Sequence, residues 1–154
     1  MDFYVKSFEE LSTLDLYDFL QLRSDVFVVE QECVFLDLDS KDKDAIHIFG
    51  KKNNKIIAYT RIFKAGDYYK ESSIGRVVVK KEERKYGYGN ELLEFSIQIV
   101  RERFKTNTIK IGAQKYLKKF YENHGFQQVG EEYLEDGIVH IYMIAVVDER
   151  ITKS

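Results

Sequence analysis

Two glycines spaced by one residue, Gly87 and Gly89, follow a β-branched run, Val77, Val78 and Val79, and a charged turn holding Arg84 and Lys85. An amphipathic stretch begins at once after them. The first N–H groups of a helix have no intrahelical partner, and the helix dipole adds partial positive charge there. Glycine lets a ligand approach the backbone without a Cβ in the way. The arrangement reads as a phosphate cradle between a strand and a helix. About thirty residues downstream, Phe120-Tyr121-Glu122-Asn123-His124-Gly125-Phe126 places a phenol on a short helix ahead of a glycine stop.

Other phosphate motifs fit poorly. The Walker A string is absent. A dinucleotide fingerprint requires a third glycine where Leu92 stands, and an acidic residue where Ala113-Gln114 stands. The pattern Arg84-Lys85-Tyr86-Gly87-Tyr88-Gly89 resembles the coenzyme A pyrophosphate loop of the GNAT superfamily of N-acetyltransferases, and the Tyr121 segment resembles that superfamily's Tyr-x-x-x-Gly-Phe signature. The resemblance narrows to ElaA-type acetyltransferases through residues 22–33, Asp37-Leu38-Asp39 and Asp44, and through residues 133–141, so that it covers nearly the whole chain.

That resemblance implies a GNAT fold, acetyl-CoA as donor and a primary amine, on a small molecule or a peptide, as acceptor. It implies that Val77, Val78 and Val79 pair with pantetheine through their backbone, with an N–H near Val77 or Val78 polarising the thioester carbonyl. Arg84, Lys85, Tyr86, Gly87, Tyr88, Gly89 and Asn90 would hold the pyrophosphate. Gln114 falls where the family often has asparagine beside the pantetheine arm. Tyr121 would be the general acid. Relatives that dimerise make a homodimer one option. Two rival readings are an acyl-CoA binding or sensing module with little catalysis, and an interaction protein acting through its 11 Tyr and 11 Phe.

The general base is open at this level. Many GNAT proteins place a glutamate on the central strand, but Gly75, Arg76 and Val77 offer no carboxylate. Glu30, Asp37, Asp39, His47 and His140 are alternatives, as is ordered water. His47, inside an apolar alternation, reads as structural. His124 reads as a cation at a helix C-terminus. The aspartates of residues 37–44 read either as a solvated loop or as an acidic wall that attracts a cationic amine. Glu30, Asp37, Asp39, Arg76 and His140 are thus the candidate acceptor-binding residues. EF-hand spacing is absent, Cys33 reads as structural, and the scattered histidines form no zinc pattern, so no metal is expected.

These groups need a scaffold. A weak alternation over residues 3–8 predicts a first strand. Ser12 and Thr13 predict a helix cap, with Leu16, Phe19, Leu20, Val26 and Phe27 as the apolar face. Residues 30–44 read as a structured loop. Residues 46–50 and 56–63 flank a polar Asn53-Asn54 turn, a hairpin signal. Residues 74–79 are the next strand. The following helix should bury Leu92, Phe95, Ile99 and Val100. Residues 109–113 predict a strand, 116–124 a short helix, and 126–130 and 138–146 two more strands. The fold class is therefore α/β of α+β type, a mixed, mostly antiparallel sheet with one parallel strand–helix–strand unit and helices on both faces.

The length of 154 residues suggests one domain over residues 1–154. A net charge of −2 gives no electrostatic case for nucleic acid or an anionic membrane. No apolar run approaches the roughly 20 residues of a membrane span. The start Met1-Asp2-Phe3-Tyr4 lacks the features of a signal peptide, and one cysteine allows no internal disulfide. The expected location is cytoplasmic.

Overall fold

The computed structural model describes residues 1–146. A seven-stranded sheet runs in the order β1-β2-β3-β4-β5-β7-β6. Its strands are β1 (Asp2–Ser7), β2 (Ile46–Lys52), β3 (Lys55–Phe63), β4 (Ser72–Val79), β5 (Thr108–Gln114), β6 (Gln127–Glu135) and β7 (Ile138–Val146). Every neighbouring pair is antiparallel except β4 and β5. Three α-helices complete the architecture: α1 (Thr13–Arg23), α2 (Tyr88–Phe104) and α3 (Lys118–Glu122). This is the mixed, mostly antiparallel architecture read from the sequence, with α2 as the parallel crossover. No helix among the described residues is long and apolar enough to cross a membrane.

Local signals account for most boundaries. Ser12 caps α1 by accepting a hydrogen bond from the Asp15 N–H at 3.0 Å. Asn53 and Asn54, both at positive φ, make the β2–β3 turn. Gly125, at φ +92°, ends the α3 segment, where the Phe126 N–H returns to the Tyr121 carbonyl.

Three expectations change. The first helix does not run on as an α-helix to Phe27; α1 stops at Arg23 and seven residues of wider π-type turn, Ser24–Glu30, follow. On α2 the buried stripe is Leu92, Leu93, Ser96, Ile97 and Val100, while Phe95 and Ile99 are only half-buried. Phe95 instead stacks on Phe3 at 4.4 Å, at the margin of the helix–sheet contact. The predicted strand 126–130 extends to Glu135 through a register shift between Val129 and Tyr133.

The sheet buries its two sides differently. Ile48, Ala58, Ile62, Ile74, Ile109 and Met143 share one core with Leu92, Leu93 and Val100 of α2. On the other side Phe49, Tyr59 and Val78 pack with Phe19 and Leu22 of α1 and with Val26. Further along, that second side presents Gly112 and Gln114 of β5 opposite Tyr142 and His140 of β7.

Candidate active site

The strand pair at the centre of the sheet comes apart. β4 and β5 are in register only at Ser72 with Ile109 and Ser73 with Lys110. From Ile74 onward the β5-facing edge of β4 has no ladder partner among the described residues. Unpaired backbone N–H and C=O groups in a sheet interior are costly unless something bonds them. The gap therefore offers an extended ligand the same partners a strand would take.

A bulge sits at the mouth of this gap. Gly75 faces Arg61 and Val78 faces Tyr59 across β3, so Thr60 alone opposes both Arg76 and Val77. Arg76 takes φ +52°, a left-handed conformation that bulges usually assign to glycine. Two contacts hold the distortion. The Thr60 hydroxyl donates to the Gly75 carbonyl at 2.6 Å. The Arg76 guanidinium donates to the Asp37 carboxylate at 2.8 Å and to its carbonyl at 2.9 Å.

Asp37 belongs to a buried ion network. Arg23, fully buried, donates to Asp37 at 2.9 Å and to Asp42 at 2.7 Å. Arg61, also buried, donates to Asp42 at 2.9 Å and to both oxygens of Asp39 at 2.8 and 2.6 Å. Burial alone would raise the Asp39 and Asp42 carboxyls; the arginine hydrogen bonds reverse this, holding Asp39 well below the usual carboxylate range and lowering Asp42. This corrects the expected acidic wall. Asp37 and Asp39 are compensated by arginines and do not present free charge to an amine.

The remaining predicted groups fall into two clusters. At the end of β4, a tight 3₁₀ turn (Lys81–Tyr86) leads to Gly87 at φ +75° and then α2, whose N-terminus has no side-chain cap. Only glycine adopts that φ without strain. Gly89 has no such requirement, and a Cβ there would make ordinary 3.7 Å contacts with Phe120. Arg84 donates to the Val79 carbonyl and, through both terminal nitrogens, to Glu30. Glu30 thus lies beside the loop and not with the acceptor candidates, and the Arg84 hydrogen bonds keep its carboxyl below the ordinary value. Lys85 lies over the Tyr86 ring, and Tyr86 neighbours Tyr88 at 5.6 Å.

Asn90 bonds His124 at 2.9 Å, which with the Phe120–Gly89 contact ties the α3 segment to the start of α2. His124 is not the expected helix-end cation, because burial lowers its pKa and α3 spans only five residues. Tyr121 is buried in the core that also contains Val79 and Ala113, one from each side of the gap. Burial raises its phenol above the ordinary value, so it keeps its proton at neutral pH.

On the second side of the sheet a small pocket, partly open to solvent, is lined by Arg61, Tyr69, Gly75, Arg76, Gly112 and Glu135 among others. His140 stands beside it, with Nδ1 2.8 Å from the Ile138 carbonyl and Nε2 3.3 Å from Glu135. His47, by contrast, spends both ring nitrogens on Tyr59 and the Asp42 carbonyl, and burial keeps it neutral, as a structural residue should be. Gln114, cross-strand from His140, exchanges side-chain hydrogen bonds with Gln31 at 3.1 and 3.5 Å. Sequence reasoning missed Gln31, Tyr69, Tyr133 and Glu135. Arg61 carried a usable signal, as a lone charge inside the apolar run of residues 56–63.

Comparison with known proteins agrees with this geometry. The family model described as Acetyltransferase (GNAT) domain matches residues 27–147. Protein ElaA of Escherichia coli K12 is 42% identical over 136 residues, covering 87% of this chain and 89% of that protein. Its crystal structure superposes with a TM-score of 0.87 at 38% identity, over 94% of this chain and 98% of that one. An acyl-CoA N-acyltransferase from Pseudomonas aeruginosa superposes at 0.88 with 34% identity, over 94% and 99%. A more distant structure, a GNAT family acetyltransferase from Elizabethkingia anophelis with acetyl-CoA bound, shares the fold at 0.63 and 16% identity, over 95% and 97%. With its split central strands, its uncapped α2 and relatives at this level of identity, the chain belongs to the GNAT acetyltransferase family and is similar to ElaA along most of its length.

Proposed function

We propose that the protein is a cytoplasmic, single-domain N-acetyltransferase that moves the acetyl group of acetyl-CoA to a primary amine by direct attack. The observation that carries this reading is the opening of β4 from β5 after Ser73, with the uncapped N-terminus of α2 at its far end. A linear donor with an anionic end and an amide-bearing arm fits that arrangement.

The residues divide the work as follows. Arg84, Lys85 and the N–H groups at the start of α2, at Tyr88 and Gly89, hold the pyrophosphate, with the space beside Gly87 left open for close approach. The free edge of Val77, Val78 and Val79 pairs with the pantetheine amides, and Gln114 with Gln31 flanks that arm. Acetyl-CoA supplies an activated thioester carbonyl. The bulge at Arg76 and Val77 turns a backbone N–H toward that carbonyl oxygen, where negative charge develops.

The amine nitrogen attacks the carbonyl carbon. The C–N bond forms, the C–S bond breaks, and the amine loses one proton while the sulfur gains one. Tyr121 donates the proton to sulfur. Among the candidate bases, Glu30, Asp37 and Asp39 are bound to arginines and His47 has both nitrogens occupied. His140 remains. Its Nδ1–H donates to the Ile138 carbonyl, which leaves Nε2 to accept the amine proton, and Glu135 balances the charge the ring gains.

Isothermal calorimetry with acetyl-CoA, followed by thiol release across a panel of amines, tests the reading. Micromolar binding with turnover supports it. Binding without turnover on any amine leaves a sensor, and no binding rejects the donor altogether.

A further inference from the structure

The pocket beside the β4 bulge is built for one kind of amine. Its lining is mostly polar and includes both Arg61 and Glu135. Arg61 is 1% exposed, and its Nε is buried with no hydrogen-bond partner although its terminal nitrogens are all engaged by Asp39 and Asp42. A buried donor left without an acceptor is costly, so a ligand oxygen placed in the pocket gains what the protein leaves unmade.

Two tyrosine hydroxyls converge on the same place. A Cβ on Gly112 would lie 2.8 Å from the Tyr133 hydroxyl and 3.0 Å from the Tyr69 hydroxyl. The glycine thereby gives both phenols room on the pocket side of β5. Gly75 across the gap also lacks a side chain, and the space beside it is open.

The charge pattern selects further. Arg23, Arg61 and Arg76 are matched by Asp37, Asp39 and Asp42, so this network offers no surplus negative charge to a polycation. Among the described residues, Glu135 is the one carboxylate lining the pocket. Lys110 already lies over the Tyr69 and Tyr142 rings at 5.1 and 4.6 Å, which disfavours a second cation on those faces.

From this geometry we infer that the acceptor is a hydroxylated monoamine, an amino sugar or amino alcohol. Its ammonium is drawn to Glu135 and deprotonated beside His140, and its hydroxyls take hydrogen bonds from Arg61, Tyr69 and Tyr133. The inference rests on the transferase reading above and names its substrate class.

The test is a thiol-release assay on the full chain at saturating acetyl-CoA, with D-glucosamine, spermidine, phenethylamine and a lysine-containing peptide. Glucosamine should exceed each of the others about tenfold in kcat/KM. Tyr133→Phe keeps the ring that stacks on Tyr142 at 4.4 Å and removes only the hydroxyl. It and Glu135→Gln should each raise the glucosamine KM about tenfold while the acetyl-CoA Kd stays fixed. A preference for spermidine, phenethylamine or the peptide overturns the inference, as does an unmoved KM in both variants. Absence of acetyl-CoA binding would instead sink the transferase reading. In that case saturation-transfer NMR with glucosamine still decides the pocket, since the signal should appear with the wild type and vanish in Tyr133→Phe.

Discussion

Arg84 grips both carboxylate oxygens of Glu30, at 2.7 and 2.9 Å, and reaches back to the Val79 carbonyl at 3.0 Å. The guanidinium is thus fixed between the end of β4 and the segment after α1, at the entrance of the proposed phosphate loop. A carboxylate beside a diphosphate repels it. Glu30→Gln is expected to tighten acetyl-CoA binding several-fold, whereas Arg84→Ala weakens it about tenfold or more. Calorimetry at fixed ionic strength checks both. Weaker binding in Glu30→Gln would mean that Glu30 serves by holding Arg84 in place.

Asp42 receives hydrogen bonds from Arg23 and Arg61 at once, and both arginines are buried. Asp42→Asn leaves their charges under-compensated. The expected loss is about 3–5 kcal/mol of stability, the cost typical of removing one member of a buried ion group. Urea denaturation measures it, and an unchanged midpoint would contradict the account.

Acid should destabilise the protein in two stages. Burial depresses the folded-state pKa of His47, so between that value and the unfolded value of about 6.5 the unfolded chain binds more protons, and stability falls as pH drops below 6.5. His124, depressed by burial as well, adds to the same window. The lowered Asp39 and Asp42 contribute stability that is present above the unfolded carboxylate pKa and is lost as pH falls further, through their folded values. His47→Gln should flatten the first stage and leave the second. Thermal melts from pH 7 to pH 3 follow this directly.

Tyr121→Phe removes a hydroxyl from a ring held edge-on by Phe120 and Phe126 at 5.1 and 5.9 Å. The packing survives, so acetyl-CoA affinity should be unchanged while turnover drops about a hundredfold. Stopped-time thiol release with the best acceptor resolves the two. Wild-type turnover in the variant would remove Tyr121 as the acid.

Gly112→Ala places a methyl group 2.8 Å from the Tyr133 hydroxyl and 3.0 Å from that of Tyr69. Both phenols must shift. The fold should tolerate the change, because Gly112 is exposed on the strand, but the acceptor KM should rise about tenfold. An unaltered KM would show that the two hydroxyls do not touch the acceptor.

Much of the scaffold was legible because its signals are local. The Ser12 cap, the Asn53-Asn54 turn, the Gly125 stop and the period of each strand depend on neighbours within a few residues. The parallel β4–α2–β5 unit followed from their order. The proposed site rests on motifs at Arg84, Gly87, Gly89 and Tyr121, which are local as well. The α2 face was misjudged at Phe95 and Ile99 because a helix rich in apolar residues has several stripes, and only the sheet beneath decides which one is buried.

By itself the sequence determined the family, the glycine-containing turn into α2 and the alternation that builds the sheet, since each rests on short-range spacing and backbone chemistry. Tertiary structure alone decided what the charges do. Arg23, Arg61 and Arg76 come from three different elements, and the aspartates from a loop between them; which pairs form depends on how those elements meet, over separations of 14 to 39 residues. The bulge was hidden for the same reason. Arg76 is not the glycine that a left-handed position announces, and it holds φ +52° because Asp37, distant in sequence, is there to bind it. The aspartates that read as a lure for cations are instead the clamp behind the bulge, and the proposed acceptor pocket is bordered by tyrosines whose convergence over Gly112 no local pattern records.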